Sequence, residues 1–215
     1  MKVKLISFAL LFAFIATGCG FWGVRGNGRI KDESRNVGEF SRIDAGGAFT
    51  IRVKVGNNTS LNVSAEENLL GFIRTRVSGN TLEIDTRKNI SPRKEVIIEI
   101  TTPVLDRIEV SGANNVNVDN ISTDEFHVEL SGAGNIDMSG EVEKLKAELS
   151  GAGNINAKNL KAKDVRISVS GAASANVFAS RSLDASVSGV GSIDYYGNPQ
   201  KTKTDVSGVG SISRR

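Results

Sequence analysis

The 215-residue chain contains one cysteine, one histidine, one tryptophan and only three prolines. Zinc sites built from histidine and cysteine need three or four such ligands, so one of each excludes a site of this kind. The same counts exclude a cysteine–histidine nucleophile pair that depends on a spare cysteine. We therefore expect neither a His/Cys metal site nor thiol chemistry that uses two cysteines.

The chain also lacks a large excess of charge of one sign. It has 27 Lys and Arg residues against 24 Asp and Glu residues. Lys2 and Lys4 lie in a segment that we interpret below as a removed leader, and without them 25 basic residues face 24 acidic ones. Nucleic-acid binding depends on concentrated positive charge, so this composition does not require nucleic acid as a partner.

The chain begins with a leader-like segment. Lys2 and Lys4 precede an apolar run over residues 5–16, which is too short to span a bilayer as a helix. A buried helix would show a polar face, and this run has none apart from Ser7. The pattern predicts a secretory signal peptide over residues 1–18.

Ala16-Thr17-Gly18-Cys19 resembles a bacterial lipobox, in which the cysteine is lipidated and becomes the first mature residue. The lipobox usually has leucine three positions before the cysteine, where this chain has Ala16, so plain secretion is the alternative. The resemblance, with Gly20 after the cysteine, implies an outer-membrane lipoprotein that faces the periplasm or the surface. We predict that lipid on Cys19 anchors the chain and that residues 19–28 form a tether.

Glycine is abundant, and ten of the 23 glycines fall within a repeated motif that starts with Ser-Gly. Six copies follow one another at intervals of 20, 19, 20, 18 and 19 residues. A regular period of this length is typical of solenoid proteins. The copies begin at Ser111, Ser131, Ser150, Ser170, Ser188 and Ser207.

Apolar residues near each motif alternate with a period of two, which indicates β-strands. We predict an all-β fold, a parallel β-helix-like solenoid with coils of about 19 residues and three strands per coil. The motif glycine allows a sharp corner, and the serine hydroxyl is expected to bond the local backbone there. The predicted apolar positions are Ile108, Val110, Val128, Leu130, Ala147, Leu149, Ile167, Val169, Ala185 and Val187 before the motif, the small residues Ala113, Ala133, Ala152, Ala172, Val190 and Val209 within it, and the column Val116, Ile136, Ile155, Ala175, Ile193 and Ile212.

The fifth position of the motif carries an amide or a hydroxyl. Stacked amides form hydrogen-bonded ladders, so we interpret this column as stabilising the corner, with a ligand-binding row as the alternative. Calcium-binding RTX repeats also contain Gly-Asn-x-Asp, but their period is nine residues, and here asparagine replaces the aspartate in most coils. We therefore predict no metal. The column consists of Asn115, Asn135, Asn154, Ser174, Ser192 and Ser211.

Residues 29–105 alternate in shorter strands without the motif. We predict that they form the irregular N-terminal part of one domain, 29–215, and cap the solenoid whose regular repeats occupy 106–215. Gly46-Gly47 fits the Ser-Gly template, so a coil is expected to begin there. Residues 66–75 are the one candidate for a short helix or helical turn, which Gly71 weakens.

Several short sequence pieces, in collinear order, lead into the repeats. They are Gly26-Asn-Gly-Arg, Arg35-Asn-Val, Phe40-Ser-Arg-Ile, Glu66-Glu-Asn-Leu-Leu, Ile73-Arg-Thr-Arg-Val, Thr81-Leu-Glu-Ile and Thr102-Pro103. With the repeats, this order resembles the head GIN domain family of auto-transporter adhesins. The resemblance implies an envelope protein with a β-helix-like fold and gives no catalytic residues, and the fold alone does not settle function.

β-Helices also occur as polysaccharide-degrading enzymes, which need converging carboxylates and a proton acceptor. The candidate column is Glu109, Glu129 and Glu148. We interpret it as a solvated face whose carboxylates are offset by a neighbouring basic column, with His127 as a surface residue rather than a general base. The basic column consists of Arg107, His127, Lys146 and Arg166.

Phe178, Tyr195 and Tyr196 cluster near the last coils. They are expected either to stack on sugar rings or to fill the thinning core. We predict an envelope-anchored, non-catalytic module without cofactor that presents polar columns to a glycan or another surface component. The alternatives are a polysaccharide-active enzyme and a periplasmic scaffold with a protein partner. The predicted binding residues are Asn115, Asn135, Asn154, Phe178, Tyr195 and Tyr196.

Overall fold

The computed structural model describes residues 23–215. The predicted signal peptide, 1–18, and the predicted lipidation site, Cys19, lie outside the described residues. Within 23–215 no helix is long and apolar enough to cross a membrane.

Seventeen strands and a single 3₁₀ turn, Leu70–Phe72, make up the regular structure of the described residues. The short N-terminal strands are followed by four long ones that each run around a whole coil. The strands are β1 Val24–Arg25, β2 Ile30–Arg35, β3 Arg42–Gly47, β4 Thr50–Val55, β5 Ser60–Glu66, β6 Ile73–Ser78, β7 Thr81–Thr86, β8 Ile90–Ser91, β9 Ile97–Thr102, β10 Arg107–Gly112, β11 Asn115–Gly132, β12 Asn135–Gly151, β13 Asn154–Gly171, β14 Ser174–Gly189, β15 Ser192–Tyr196, β16 Lys201–Gly208 and β17 Ser211–Arg214.

Strands β10 to β17 stack in parallel, each coil directly above the one before it. Equivalent motif residues face each other, for example Ser111 with Ser131 and Ser170 with Ser188. The register between β13 and β14 shifts at two places, which divides the pairing of these two coils into three segments. The predicted fold is confirmed, an all-β parallel solenoid of about five turns with roughly 20-residue spacing.

Two outward surfaces result from this stacking. The acidic face is the outer side of the sheet formed by β7, β3, β10, the last segments of β11 to β14, and β16. The asparagine face is the outer side of the sheet formed by β9, β4, the first segments of β11 to β14, β15 and β17. The two faces meet at the Ser-Gly corner.

The core lies inside the coils, where the predicted inward residues before the motif are all buried. The column from Val116 to Ile193 is buried as well, and Ile212 of the last coil is partly buried against it.

The prediction that the small apolar residues of the motif belong to the buried apolar pattern is wrong. Ala133 and Ala152 each donate a backbone N–H to the glycine carbonyl of the preceding coil, which turns their methyl groups outward. Val190 and Val209 are 63% and 78% exposed.

The order of the coils in space differs from their order along the chain. Gly46 of β3 pairs with Ser111 of β10, so a coil does begin at Gly46-Gly47 as predicted. The chain then leaves the solenoid, and β7 and β9 form a further coil on the outer side of β3 and β4. It returns to β10 on the opposite side of the β3–β4 coil, which is therefore sandwiched between later parts of the chain.

Antiparallel strands cover the N-terminal end of the solenoid. β5 pairs with β9 and with β2, and β6 pairs with β7. The short helix or helical turn expected over 66–75 is the 3₁₀ turn Leu70–Phe72, because Gly71 disfavours a longer helix and β6 begins at Ile73.

The second half of the predicted tether, 19–28, is attached to the domain. β1 pairs with β8, and Gly28 donates its N–H to the Glu66 carboxylate at 2.5 Å. Glu66 is fully buried and also accepts the N–H of Arg93 at 2.8 Å. Burial acts to raise the pKa of Glu66, but these backbone N–H groups keep the pKa below its ordinary value.

The Ser-Gly corner at Gly151 requires glycine for two reasons. Gly151 has a φ of +147°, which L side chains rarely adopt. A Cβ on Gly151 would also lie closer than 3.0 Å to the backbone carbonyl oxygen of Gly132 in the preceding coil. Within residues 23–215, no motif serine hydroxyl donates the predicted hydrogen bond to its local backbone. The Ser170 hydroxyl instead donates to the Leu149 carbonyl of the preceding coil at 3.5 Å.

We predict that Gly151→Val lowers the free energy of unfolding by at least about 3 kcal/mol, because strained backbone and a clash between coils add together. The measurement is chemical denaturation of the protein expressed as residues 20–215, which contains every described strand. Gly71→Ala is the control, since a Cβ on Gly71 meets nothing within 4 Å. A Gly151→Val protein as stable as wild type would contradict the argument from the glycine corner.

Candidate binding surface

The asparagine face carries a ladder of amides that begins at the Ser-Gly corner. Asn135 Nδ2 donates to Asn115 Oδ1 at 3.0 Å, and Asn154 Nδ2 donates to Asn135 Oδ1 at 2.9 Å. In later coils the ladder continues as serines, with 3.4 Å between Ser192 Oγ and Ser174 Oγ. All three asparagines are exposed. The ladder therefore stabilises the stack and presents its remaining polar groups to solvent.

A second polar column lies two residues further along each strand of this face. Asn156 Nδ2 donates to Asp137 Oδ1 at 2.7 Å. Register pairs join the members of the column from coil to coil, so three amides and two carboxylates stack along the solenoid axis. The column consists of Asn117, Asp137, Asn156, Asn176 and Asp194.

A shallow groove follows the corner beside the amide ladder. Its first part has a volume of about 500 Å³, with methyl groups such as that of Ala133 on one side and amides such as that of Asn135 on the other. A second part of about 470 Å³ runs from Ala172 to Ser211. Both parts contain Ala172, so the groove extends along the solenoid axis.

The aromatic residues of the last coils divide into two groups. Tyr195 pairs with Val177 at an inward position and packs against the core. Phe178 pairs with Tyr196 at outward positions, and both are half-buried. Lys161 Nζ lies 4.0 Å from the centre of the Phe178 ring, a cation–π contact. The structure thus brings Phe178 and Tyr196 together on the outer surface and separates Tyr195 from them.

One asparagine that sequence reasoning passed over has a structural function. Asn114 is fully buried, and its Oδ1 accepts the N–H of Phe49 at 2.9 Å. Its Nδ2 donates to the Ser111 carbonyl at 2.6 Å. The signal in the sequence is that Asn114 replaces the small residue found at this motif position in the other coils.

The acidic face carries a longer column of carboxylates than the sequence predicted. The predicted Glu109, Glu129 and Glu148 are in register, and Asp44 and Glu83 extend the same column. Asp44 stands two residues before Gly46 just as Glu109 stands two before Ser111, so the corner template could have located it.

Basic side chains offset part of this negative charge. Arg107 pairs with Glu109 and lies 3.9 Å from Glu129, while Lys146 Nζ lies 2.7 Å from Glu148 Oε1. The hydrogen bond from Lys146 lowers the pKa of Glu148. A carboxyl group that stays ionised in this way cannot donate a proton near neutral pH.

His127 lies between Arg107 and Lys146 in the basic column. Its side chain is 16% exposed, so it is more covered than the surface position expected for it. Burial, followed by the charges of Arg107 and Lys146, lowers the pKa of His127. His127, Glu129 and Glu148 offer ligand atoms within 4.8 Å of one another, but Arg107 and Lys146 already pair with the two carboxylates.

The sequence matches the family model described as "Putative auto-transporter adhesin, head GIN domain" over residues 39–199. The chain belongs to this family. The resemblance stated from the sequence is thereby confirmed, and the family's adhesin name is consistent with a non-catalytic, adhesin-like protein that is exported to the cell surface or envelope.

Solved structures share the fold of this head GIN domain. A "putative adhesin" from Bacteroides fragilis NCTC 9343 is 28% identical, with a TM-score of 0.75 over 90% of this chain and 100% of that chain. A "putative lipid binding protein" from Parabacteroides distasonis ATCC 8503 is 19% identical, with a TM-score of 0.61 over 89% of this chain and 99% of that chain. A "putative adhesin" from Parabacteroides merdae ATCC 43184 is 18% identical, with a TM-score of 0.59 over 90% and 99%. Among curated proteins, none matches the sequence.

Two adjacent asparagines test the division between structural and surface amides. We predict that Asn114→Ala costs about 2–3 kcal/mol of stability, because it leaves the buried Phe49 N–H without its acceptor. Asn115→Ala, which removes one exposed ladder bond, should cost less than about 1 kcal/mol. Denaturant unfolding of the two variants measures the difference. Equal losses would show that burial of the Asn114 amide contributes nothing.

Asp44 gives a pH-dependent prediction. Partial desolvation of this mostly exposed carboxyl group, and then the carboxylates of Glu109 and Glu83, raise the pKa of Asp44 above its ordinary value of 3.8. The folded state then binds the proton more tightly than the unfolded state, so stability is lost as the pH rises above 3.8. Asp44→Asn should therefore raise the melting temperature at pH 7, by at most about 4 °C at this exposed site, and the gain should vanish at a pH below 3.8. Thermal melts of wild type and Asp44→Asn from below pH 3.8 to pH 7 measure this difference. A gain in melting temperature that does not change with pH would contradict the raised pKa of Asp44.

Proposed function

We propose that this head GIN domain is a lipid-anchored, non-catalytic envelope module that binds glycan through its asparagine face. The observation that carries the proposal is the alignment of exposed amide columns, stacked coil on coil, with the outward pair Phe178 and Tyr196 at the end of the same face. The adhesin name of the family supports a binding function.

The chemistry of the face suits a polyhydroxylated ligand. Asparagine side chains both donate and accept hydrogen bonds, as sugar hydroxyl groups do. Phe178 and Tyr196 offer apolar ring surface on which the C–H face of a sugar can stack. The columns repeat about every 4.8 Å along the solenoid, so an extended chain would meet many weak contacts in place of one deep pocket.

Lipid on Cys19 would hold the domain close to the membrane. β1 begins at Val24 and is paired with β8, so the second half of the predicted 19–28 tether belongs to the domain. An anchor at Cys19 would leave the N-terminal end of the solenoid nearest the bilayer.

The test measures binding of residues 20–215 to a panel of immobilised envelope polysaccharides. We predict binding to at least one glycan, weakened about tenfold by Tyr196→Ala and by Asn135→Ala, since each loses on the order of 1.4 kcal/mol of contact. Asn57→Ala, at an exposed turn on the N-terminal side, is the matched control and should bind like wild type.

Two results would overturn this proposal. Failure of the wild-type protein to bind any glycan in the panel would remove the proposed ligand class. New reducing ends or unsaturated sugars in the incubated polysaccharide would show that the domain is an enzyme.

A further inference from the structure

The C-terminal end of the solenoid is an open sheet edge. β16 pairs with β14 on one side, and within residues 23–215 no strand pairs with its other side. Every residue of β16 is exposed, including Val206 at 44%. The corner residue that follows, Val209, is 78% exposed. An exposed edge of this length presents a row of unpaired backbone groups that favour pairing with another strand.

The N-terminal end is built differently. There the sheet ends in antiparallel strands, β2 and β6, added outside the first coil. β2 carries charges on most of its positions, with Lys31, Asp32, Glu33 and Arg35 in six residues. Mixed charge along an edge strand discourages pairing. The C-terminal end has no such added strand among the described residues.

We propose that β16 pairs antiparallel with β16 of a second copy of this chain, about a two-fold axis at Thr204. A two-fold contact requires a surface that is complementary to itself. An antiparallel strand pair meets this requirement when residues at equal distances on either side of the two-fold axis are complementary to each other. The two sheets then join into one that continues from the first solenoid into the second.

The side chains of β16 are self-complementary around Thr204. With Thr204 opposite the partner's Thr204, Lys203 faces the partner's Asp205, and Asp205 faces the partner's Lys203. On the inward side Thr202 meets the partner's Val206. Opposite charges directly across an antiparallel pair stabilise it. Lys203 is free to turn toward a partner, since its side chain is 80% exposed and its contact with Asp184 is long at 3.7 Å.

The same charges disfavour the neighbouring registers. Shifts that keep inward residues inward place the centre at Lys203 or at Asp205. The first puts Lys203 opposite the partner's Lys203, and the second puts Asp205 opposite the partner's Asp205. Like charges directly opposite each other destabilise a strand pair, and of these three registers the one centred at Thr204 places no like charges opposite each other.

One strand pair is a small interface, so we expect a dissociation constant on the order of micromolar. The two solenoids would lie end to end with their N-terminal strands at opposite ends. If the lipid anchor of the proposed function is present, the dimer would link molecules on two facing membranes. The pairing itself does not depend on that anchor or on glycan binding.

Sedimentation velocity of residues 20–215, over a concentration series through the micromolar range, is the first measurement. Wild type should form dimers, and Lys203→Glu and Asp205→Lys should each weaken dimerisation at least tenfold. The double variant Lys203→Glu/Asp205→Lys restores opposite charges across the axis and should recover the dimer. Lys31→Glu, the same change on the edge strand β2 at the other end, is the control and should dimerise like wild type.

A crosslinking experiment tests the register directly. Residues 20–215 lack cysteine, so Thr204→Cys introduces a single thiol at the two-fold axis. Mild oxidation should link two Thr204→Cys chains, because directly opposed Cβ atoms lie about 4.5–5.5 Å apart. Thr202→Cys is the matched control and should not crosslink, since its two copies would lie about 13 Å apart.

A wild-type protein that stays monomeric at all concentrations would overturn the proposal. So would a dimer that ignores both charge reversals, or one in which Thr202→Cys crosslinks as well as Thr204→Cys. Each of these readings is made on protein without lipid or glycan. They are therefore independent of the glycan-binding test.

Discussion

The close approach of successive backbones at the Ser-Gly corner is the constraint on which the rest of the structure depends. A Cβ on the glycine of one coil would meet the carbonyl oxygen of the glycine below it, from Gly112 through to Gly208. Only glycine allows this contact, and the contact holds each coil in the same rotational position as its neighbour. Residues at equal distances from the corner therefore stack into columns along the whole solenoid.

The chemistry of each column follows from this stacking. Amides repeated in register donate to one another, as Asn154 donates to Asn135, and the stack becomes a source of stability. Carboxylates repeated in register repel, so the acidic face needs partners such as Lys146 and leaves Asp44 with a raised pKa. One geometric rule thus produces a polar surface suited to binding and a charged surface that must be balanced.

The two ends of the solenoid show how such a stack is terminated. The N-terminal end is covered by antiparallel strands, and buried Glu66 ties the entering chain to that cover through the N–H groups of Gly28 and Arg93. The C-terminal end stops at β16 and β17 with their outer edges unpaired within the described residues. Within residues 23–215, the solenoid therefore has one covered end and one end whose sheet edge is unpaired.

The sequence by itself determined the fold class, the corner positions and most of the core, because a repeated Ser-Gly and a period of two are local signals that need no knowledge of distant contacts. It also located the amide ladder and the central carboxylates. Only the tertiary structure decided that β7 and β9 stack outside β3 and β4, which brings Glu83 and Asp44 into the acidic column. It likewise decided that Tyr195 packs inward beside an outward Tyr196, and that residues such as Ala133 are exposed. These outcomes depend on which backbone groups pair across coils, and such long-range pairing is not encoded in the order of neighbouring residues.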